Sequence, residues 1–372
     1  MRAKQFAAVL FGLILSLVAV PAHADDPTGI DVDLIRKVEA LLGADDSTDE
    51  GPAPAQESGG ADESDESDAI GVDPAQQSAA LQHWTPERMI DAISGDTLLI
   101  GRTLSDATGT VEKGVATLVP GIALPQLDLG VLGGLGGLLG GGSGTGGSTY
   151  TKGGAVVATS GKVFFTMDGT NYVCSGSSTA AANRSLVQTA GHCVNEGPGE
   201  FATNFVFVPA YRDGQAPYGV FPAKALHTTS QWGGGGDLSY DVGYAVVSPV
   251  NGRSLTDTVG AHGIGFNLAR GARMHAFGYP ARAPYDGSKL AWCSGTVSSD
   301  TQGTSDQGMR CNMTGGSSGG PWFINFDEGS GLGTLNSLNS FKYTTLGLLD
   351  NGSMYGPYFG SVVQSLYESA SR

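Results

Sequence analysis

The chain has 372 residues, 59 of them glycine, and a formal net charge of −16; that is room for one large domain or two average ones. The charge is uneven: residues 25–149 carry 22 acidic and 5 basic side chains, whereas residues 150–372 carry 14 and 13. No basic patch stands out to neutralise phosphates, which excludes nucleic acid as an expected partner.

Taken in order, the first 24 residues have the layout of an export signal. Arg2 and Lys4 precede an apolar run from Phe6 to Val20, and Ala22-His23-Ala24 is a small-x-small cleavage site. The run is short for a membrane span and meets Pro21 and then Asp25-Asp26. Cleavage after Ala24, export and no stable membrane insertion are expected. Export permits disulfides. The four cysteines, Cys174, Cys193, Cys293 and Cys311, allow three pairings.

Residues 25–128 read as an acidic, mostly disordered segment, because Asp45 to Asp68 is rich in Asp, Glu, Ser, Gly and Pro and has little to bury. An amphipathic helix over Asp31–Leu42 competes with a transient helix in a solvated tail. In Trp84-Thr85-Pro86-Glu87-Arg88-Met89, Thr85 is a natural N-cap, Pro86 suits the first helical position and Glu87 suits the positive end of the helix. Residues 129–149 are glycine and leucine with small polar residues, too flexible for a membrane helix. A linker is expected there, with weak self-association as the competing reading.

From Ala155 the pattern changes. Strands are predicted at Ala155–Ala158, Lys162–Met167, Asn171–Gly176, Ser185–Ala190, Asn204–Pro209, Val242–Val247, Met274–Gly278, Leu290–Val297, Trp322–Ile324, Thr334–Ser337 and Thr344–Leu349. The one late helix signal is Gly360–Ala370, with Val362, Val363, Leu366 and Tyr367. Many short strands with Gly-rich turns indicate an all-β barrel or sandwich.

Two stretches carry chemistry. Thr314-Gly315-Gly316-Ser317-Ser318-Gly319-Gly320-Pro321 is poor helix and poor strand but suits a tight loop. A nucleophilic serine needs such a loop: an exposed hydroxyl, converging backbone N–H groups and room for a carbonyl. A flexible Gly/Ser linker is the bland alternative. The second stretch is Thr189-Ala190-Gly191-His192-Cys193. Serine is a weak nucleophile unless a base takes its proton, and the base needs a carboxylate to hold its tautomer.

Together these stretches resemble the trypsin/chymotrypsin superfamily of serine endopeptidases, where the histidine sits in T-A-A/G-H-C and the serine in G-D/N/S-S-G-G/S-P. The form here is similar to secreted bacterial members, including relatives of the glutamyl endopeptidases. The resemblance covers roughly Tyr150 to Arg372. It implies two antiparallel Greek-key barrels with a C-terminal helix, residues 150–372 as the protease domain, and residues 25–149 as pro-region and linker. The Trp84–Met89 stretch resembles segments found upstream of the catalytic domain in some such proteases.

On this resemblance His192 is the general base; His23, His83, His227, His262 and His275 lack such a context. Asp241 opens Asp241-Val242-Gly243-Tyr244, similar to the family's D-[IV]-[AG]-L, and Asp237 competes with it. Two small residues and a proline follow Ser318, which selects it over Ser317 as nucleophile, with the N–H groups of Gly316 and Ser318 as the oxyanion hole. Sequence neighbours Cys174–Cys193 and Cys293–Cys311 are the expected disulfides, the first tying the histidine turn to the preceding strand as in the family. Ser317 stands where many animal relatives have an aspartate that pairs with a freed N-terminus, so that activation switch is not expected.

Trypsin-like specificity is not expected either, because Asn312 replaces the pocket aspartate. Met313 and Thr314 are the neighbouring pocket candidates, and Ser337, Leu338 and Asn339 are expected along the strand that pairs with substrate. A neutral or apolar P1 residue follows. Substrates are proteins or peptides, no cofactor or metal is implied, and a monomer is expected.

Two rival readings fail and a third stays open. Gly316-Ser317-Ser318-Gly319-Gly320 also satisfies G-x-S-x-G, but the α/β-hydrolase order places histidine after serine and the last histidine here is His275. A metal site lacks H-E-x-x-H and paired C-x-x-C spacing. A catalytically silent protease fold serving as a binding or surface module stays open. No cysteine follows the signal for lipid attachment, so release is expected over tethering.

Overall fold

The computed structural model describes residues 67–99, 114–123, 145–345, 349–350 and 352–372. The export signal, the Asp31–Leu42 stretch, most of Asp45–Asp68 and most of the Gly/Leu tract lie outside them. The disorder expected of residues 25–128 does not extend to the parts described. Those parts form strand β1 (Asp68–Gly71), helices α1 (Pro74–His83) and α2 (Pro86–Asp91), β2 (Ile93–Ser94), a 3-10 turn at Gly95–Leu99 and β3 (Thr117–Val119). A further strand, β4 (Ser148–Thr149), precedes the protease-like region.

The helices start where the sequence allows. Asp73 and Gln76 cap α1 reciprocally, each side chain accepting from the other's backbone N–H. Thr85 caps α2 by accepting from Arg88 N at 3.3 Å, with Pro86 in the first turn. What orders the region is burial between and within them. The Trp84 ring lies 5.3 Å from Phe164, its Nε1 donates to the Asn204 carbonyl at 2.6 Å, and Met89 is buried.

Helix α3 (Ala155–Thr159) corrects the strand predicted at Ala155–Ala158. Its β-branched residues favour a strand locally, but Ala155 N and Val156 N donate to the carbonyls of Ser330 and Gly331, and the resulting turn buries Val156 and Thr159. Tertiary contacts override propensity here. The next six strands are β5 (Ser160–Met167), β6 (Thr170–Thr179), β7 (Leu186–Thr189), β8 (Thr203–Pro209), β9 (Phe221–Thr228) and β10 (Gly243–Val247). They close into an antiparallel barrel in the order β5-β6-β7-β10-β9-β8 and back to β5. Asp168 and Gly169, both at positive φ, form the two-residue hairpin turn between β5 and β6. β9 joins β8 only at Phe221–Pro222; farther along, Ala225–Thr228 takes β1 as its neighbour instead. Two short helices follow in this half, α4 (Ser230–Gly235) and α5 (Leu255–Val259).

The second half is built from β11 (Gly263–Phe266), β12 (Arg273–Gly278), β13 (Ala291–Thr296), β14 (Ser298–Ser299), β15 (Gln307–Arg310), β16 (Pro321–Asp327), β17 (Leu332–Leu338) and β20 (Ser353–Gly356). A sheet ordered β3-β11-β17-β16-β12-β13-β4 and a smaller one ordered β14-β15-β20 enclose Met274, Cys293, Met309, Trp322 and Met354. Each such buried side chain contributes on the order of 2 kcal/mol. The strand predicted at Thr344–Leu349 is instead a paired β18 (Thr344–Thr345) and β19 (Leu349–Asp350), with 346–348 outside the described residues. Helix α6 (Ser361–Ala370) closes the chain and buries Val363, Leu366, Tyr367 and Ala370. Among the described residues, no helix is long and apolar enough to cross a membrane.

The seam between halves runs through His262. Its backbone bonds to Ser178 and Ala180, its ring centroid lies 4.2 Å from that of Phe323, and Nδ1 donates to the Gly333 carbonyl at 3.2 Å. Burial lowers its pKa to about 4, against the Gly333 hydrogen bond that raises it. A histidine depressed on folding supports the fold above its ordinary value and loses that support as pH falls. The loss from this one ring is about 3 kcal/mol between pH 6.5 and 4. Urea melts at pH 7 and pH 4.5 are therefore expected to show a smaller acid loss for His262→Gln than for the parent chain.

Candidate active site

His192 sits in the 3-10 turn Gly191–Cys193, directly after β7. The Cys174–Cys193 disulfide ties that turn to β6; the second disulfide joins Cys293 to Cys311. Asp241 follows the short turn Leu238–Tyr240 and immediately precedes Val242 and β10. Since β10 pairs with β7, with Gly243 opposite Thr189, the two loops emerge side by side.

The carboxylate of Asp241 grips His192 twice. Oδ1 accepts from the His192 backbone N–H at 2.8 Å, and Oδ2 faces Nδ1 at 2.8 Å. The contact places the ring proton on Nδ1 and turns Nε2 outward as an acceptor. Ser340 Oγ donates to the same Oδ2 at 2.5 Å. Burial by itself raises the Asp241 carboxyl, but the charge of His192 and the bonds from His192 and Ser340 hold it below its ordinary value. Asp237 is spent elsewhere, capping Leu238–Tyr240 by accepting from Ser239 N at 2.9 Å.

Ser317 and Ser318 are distinguished by their partners. Ser317 Oγ is buried and donates to the Thr314 carbonyl at 2.8 Å. Ser318 Oγ makes no hydrogen bond among the described residues, and His192 Nε2 has no partner either. The N–H groups of Gly316 and Ser318 donate to no described group, whereas those of Ser317, Gly319 and Gly320 are all engaged. Two free N–H groups flanking a free hydroxyl are what a developing oxyanion requires.

Both halves of the fold clamp this loop. From the first barrel, Ser175 N donates to Ser318 O at 2.7 Å, Ser175 Oγ to Gly316 O at 2.9 Å, and Gln188 Nε2 to Gly319 O at 3.1 Å. From the second, Asn339 Nδ2 donates to Ser317 O at 3.0 Å and to Phe277 O at 2.8 Å, while Asn339 Oδ1 accepts from Trp322. Gly319 (φ +78°) lies so close to Ala190 N and the Ser175 carbonyl, 2.7 and 2.5 Å from the place a Cβ would take, that no side chain fits. The serine loop and the histidine turn are thus in direct contact, with Cys193 Sγ 4.0 Å from Ser318 O.

The pocket candidates are scattered. Asn312 Oδ1 accepts from the Tyr285 hydroxyl at 2.7 Å, Thr314 exchanges bonds with Arg282, and Met313 is buried in the second core. Ser337, Leu338 and Asn339 are buried at the end of β17 and just beyond it: Ser337 Oγ donates to Pro357 O, and Asn339 holds the serine loop. Sequence reasoning missed Ser340, Ser175 and Trp232, whose ring lies 6.3 Å from that of His192. None of the three stands in a motif; each is brought in by tertiary contact.

No protein-family model and no curated protein matches the chain. Solved structures do. Protease Anisep from Arthrobacter nicotinovorans aligns at 52% identity over 57% of this chain and 95% of its own, with a TM-score of 0.55. A thermostable serine protease, AL20, from an extremophilic microorganism aligns at 45% identity over 58% of this chain and 98% of its own, also with a TM-score of 0.55.

Proposed function

The chain belongs to the trypsin-like bacterial serine proteases, and on that premise we propose that it is an exported endopeptidase working through His192, Asp241 and Ser318. Ser318 Oγ attacks the scissile carbonyl while His192 Nε2 takes its proton. The carbonyl oxygen becomes an oxyanion held by the N–H groups of Gly316 and Ser318. His192 then returns the proton to the departing amine as the C–N bond breaks, leaving an acyl-enzyme. Water, deprotonated by the same nitrogen, releases the acid and restores Ser318. Asp241 keeps the proton on Nδ1 and stabilises the imidazolium.

The observation that carries this reading is the pairing of a doubly held, correctly oriented His192 with an unengaged Ser318 hydroxyl on a loop offering two free N–H groups. Asn312 and Thr314, the two uncharged pocket candidates not buried in the core, favour a neutral P1 residue. Two disulfides fit an oxidising compartment. Residues 1–24 would act as signal, 25–128 as pro-region, 129–149 as linker and 150–372 as mature monomeric enzyme. A fluorophosphonate probe followed by peptide mapping tests the reading: the adduct is expected on Ser318 of the processed form, whose N-terminus lies near Tyr150. A processed, folded protein that takes no label would leave only the silent binding module.

A further inference from the structure

The catalytic groups are closed off: His192 is 0% exposed and Ser318 3%. A protease acting on proteins needs these groups open to an extended chain. A segment from upstream lies against both the histidine turn and the serine loop. β2 pairs parallel to Tyr172–Val173 of β6, next to Cys174. The chain then turns across the site. The position a Cβ on Gly95 would take lies 2.6 Å from Cys174 Sγ, so this backbone rests on the Cys174–Cys193 bridge beside His192. Asp96 lies against Gly315, with its carboxylate in the space a side chain there would fill, and its Oδ2 is 3.9 Å from Arg282. Leu99 packs on the cluster of Trp232, Leu238, Phe341 and Tyr355.

Resting on the triad reading above, we infer that residues 93–99 are a built-in plug that keeps the uncleaved chain latent. The segment touches the histidine turn, the serine loop and the aromatic cluster in one pass. It is not held as a substrate would be. Gly95–Leu99 is a 3-10 turn, closed by Thr97 Oγ1 donating to Ser94 O at 2.8 Å. Its peptide groups are therefore coiled on themselves rather than laid out extended for pairing and attack. A segment in this form blocks the cleft without offering a scissile bond to Ser318.

The test compares the full-length chain with the processed 150–372 form, using a fluorophosphonate probe and reading label on the uncleaved band. The intact chain is expected to label at least about a hundredfold more slowly, because only its open fraction reacts. Asp96→Ala and, separately, Leu99→Asp are expected to speed labelling of the intact chain by about tenfold or more by raising that fraction. Equal labelling of intact and processed forms would overturn the plug while leaving the triad reading in place. Absence of label on the processed form would remove the triad reading, and the plug with it. Because the main comparison needs no substitution, a variant that fails to fold does not decide the outcome.

Discussion

Ser318→Ala is expected to reduce kcat/KM on a denatured protein substrate by about 10⁴-fold or more, leaving only what the oxyanion donors and binding supply. Ser317→Ala, one residue away, is expected to stay within about tenfold of the parent and to lose roughly 1 kcal/mol of stability. The contrast follows from the hydrogen bonds. Ser317 Oγ is committed to the Thr314 carbonyl, so removing it loosens the turn that aims Gly316 and Ser318 but takes nothing from the chemistry. Ser318 Oγ has no such commitment. Peptide hydrolysis and fluorophosphonate labelling measured on both processed variants check the pair. An active Ser318→Ala with an inactive Ser317→Ala would reverse the assignment.

Asp241→Asn is expected to lower kcat by about 10⁴-fold at neutral pH. Both carboxylate oxygens accept hydrogen bonds, Oδ1 from His192 N and Oδ2 from Nδ1 and Ser340. An amide has one acceptor and one donor end, so whichever way it turns, one bond becomes a clash of donors. If the NH₂ faces the ring, the proton moves to Nε2, and His192 can no longer take one from Ser318. The same substitution has a stability signature. Because the folded-state pKa of Asp241 is depressed, its contribution is present above the ordinary carboxylate value and fades as pH falls through the folded one. The Asn variant should therefore melt earlier than the parent at pH 7, with the gap narrowing in acid. Ser340→Ala, which removes only one donor to Oδ2, is expected to cost about tenfold in kcat. Rates at pH 5.5 and 7, with thermal melts at pH 7, 4 and 2.5, separate these effects.

Much of the site could be read from sequence because it is built from short turns. The histidine and serine stretches each fold as a local unit, so their residues are contiguous. The Asp168–Gly169 hairpin and the C-terminal helix are equally local. Asp241 was harder, since a strand-opening aspartate looks like any turn residue; the short D-V-G-Y resemblance favoured it over Asp237, and its place beside β7 separates the two. The misses are non-local. Ala155–Thr159 coils because Ser330 and Gly331 present carbonyls to it. β9, with Phe221, Ala223 and Leu226 facing the core, carries Lys224 between them and His227 just after, and has no flanking turn pair to announce it. Ser340 has no motif of its own and gains meaning only because it meets Asp241, 99 residues away in sequence. The acidic composition of the upstream segment concealed Leu99 as an apolar anchor, and the helix signal at Trp84–Met89 did not reveal that Trp84 and Met89 are buried.

β1, β2 and β3 lend strands to both halves of the protease through β9, β6 and β11. A single cut near Tyr150 therefore leaves every one of these pairings in place. What it changes is the bookkeeping of association: a segment tethered at high effective concentration becomes a separate molecule, and its occupancy of the cleft follows mass action. In a confined, crowded compartment the two pieces stay together; spread into a large volume, they part. If residues 93–99 plug the cleft as inferred, dilution rather than the cut itself is expected to set the moment at which hydrolysis begins.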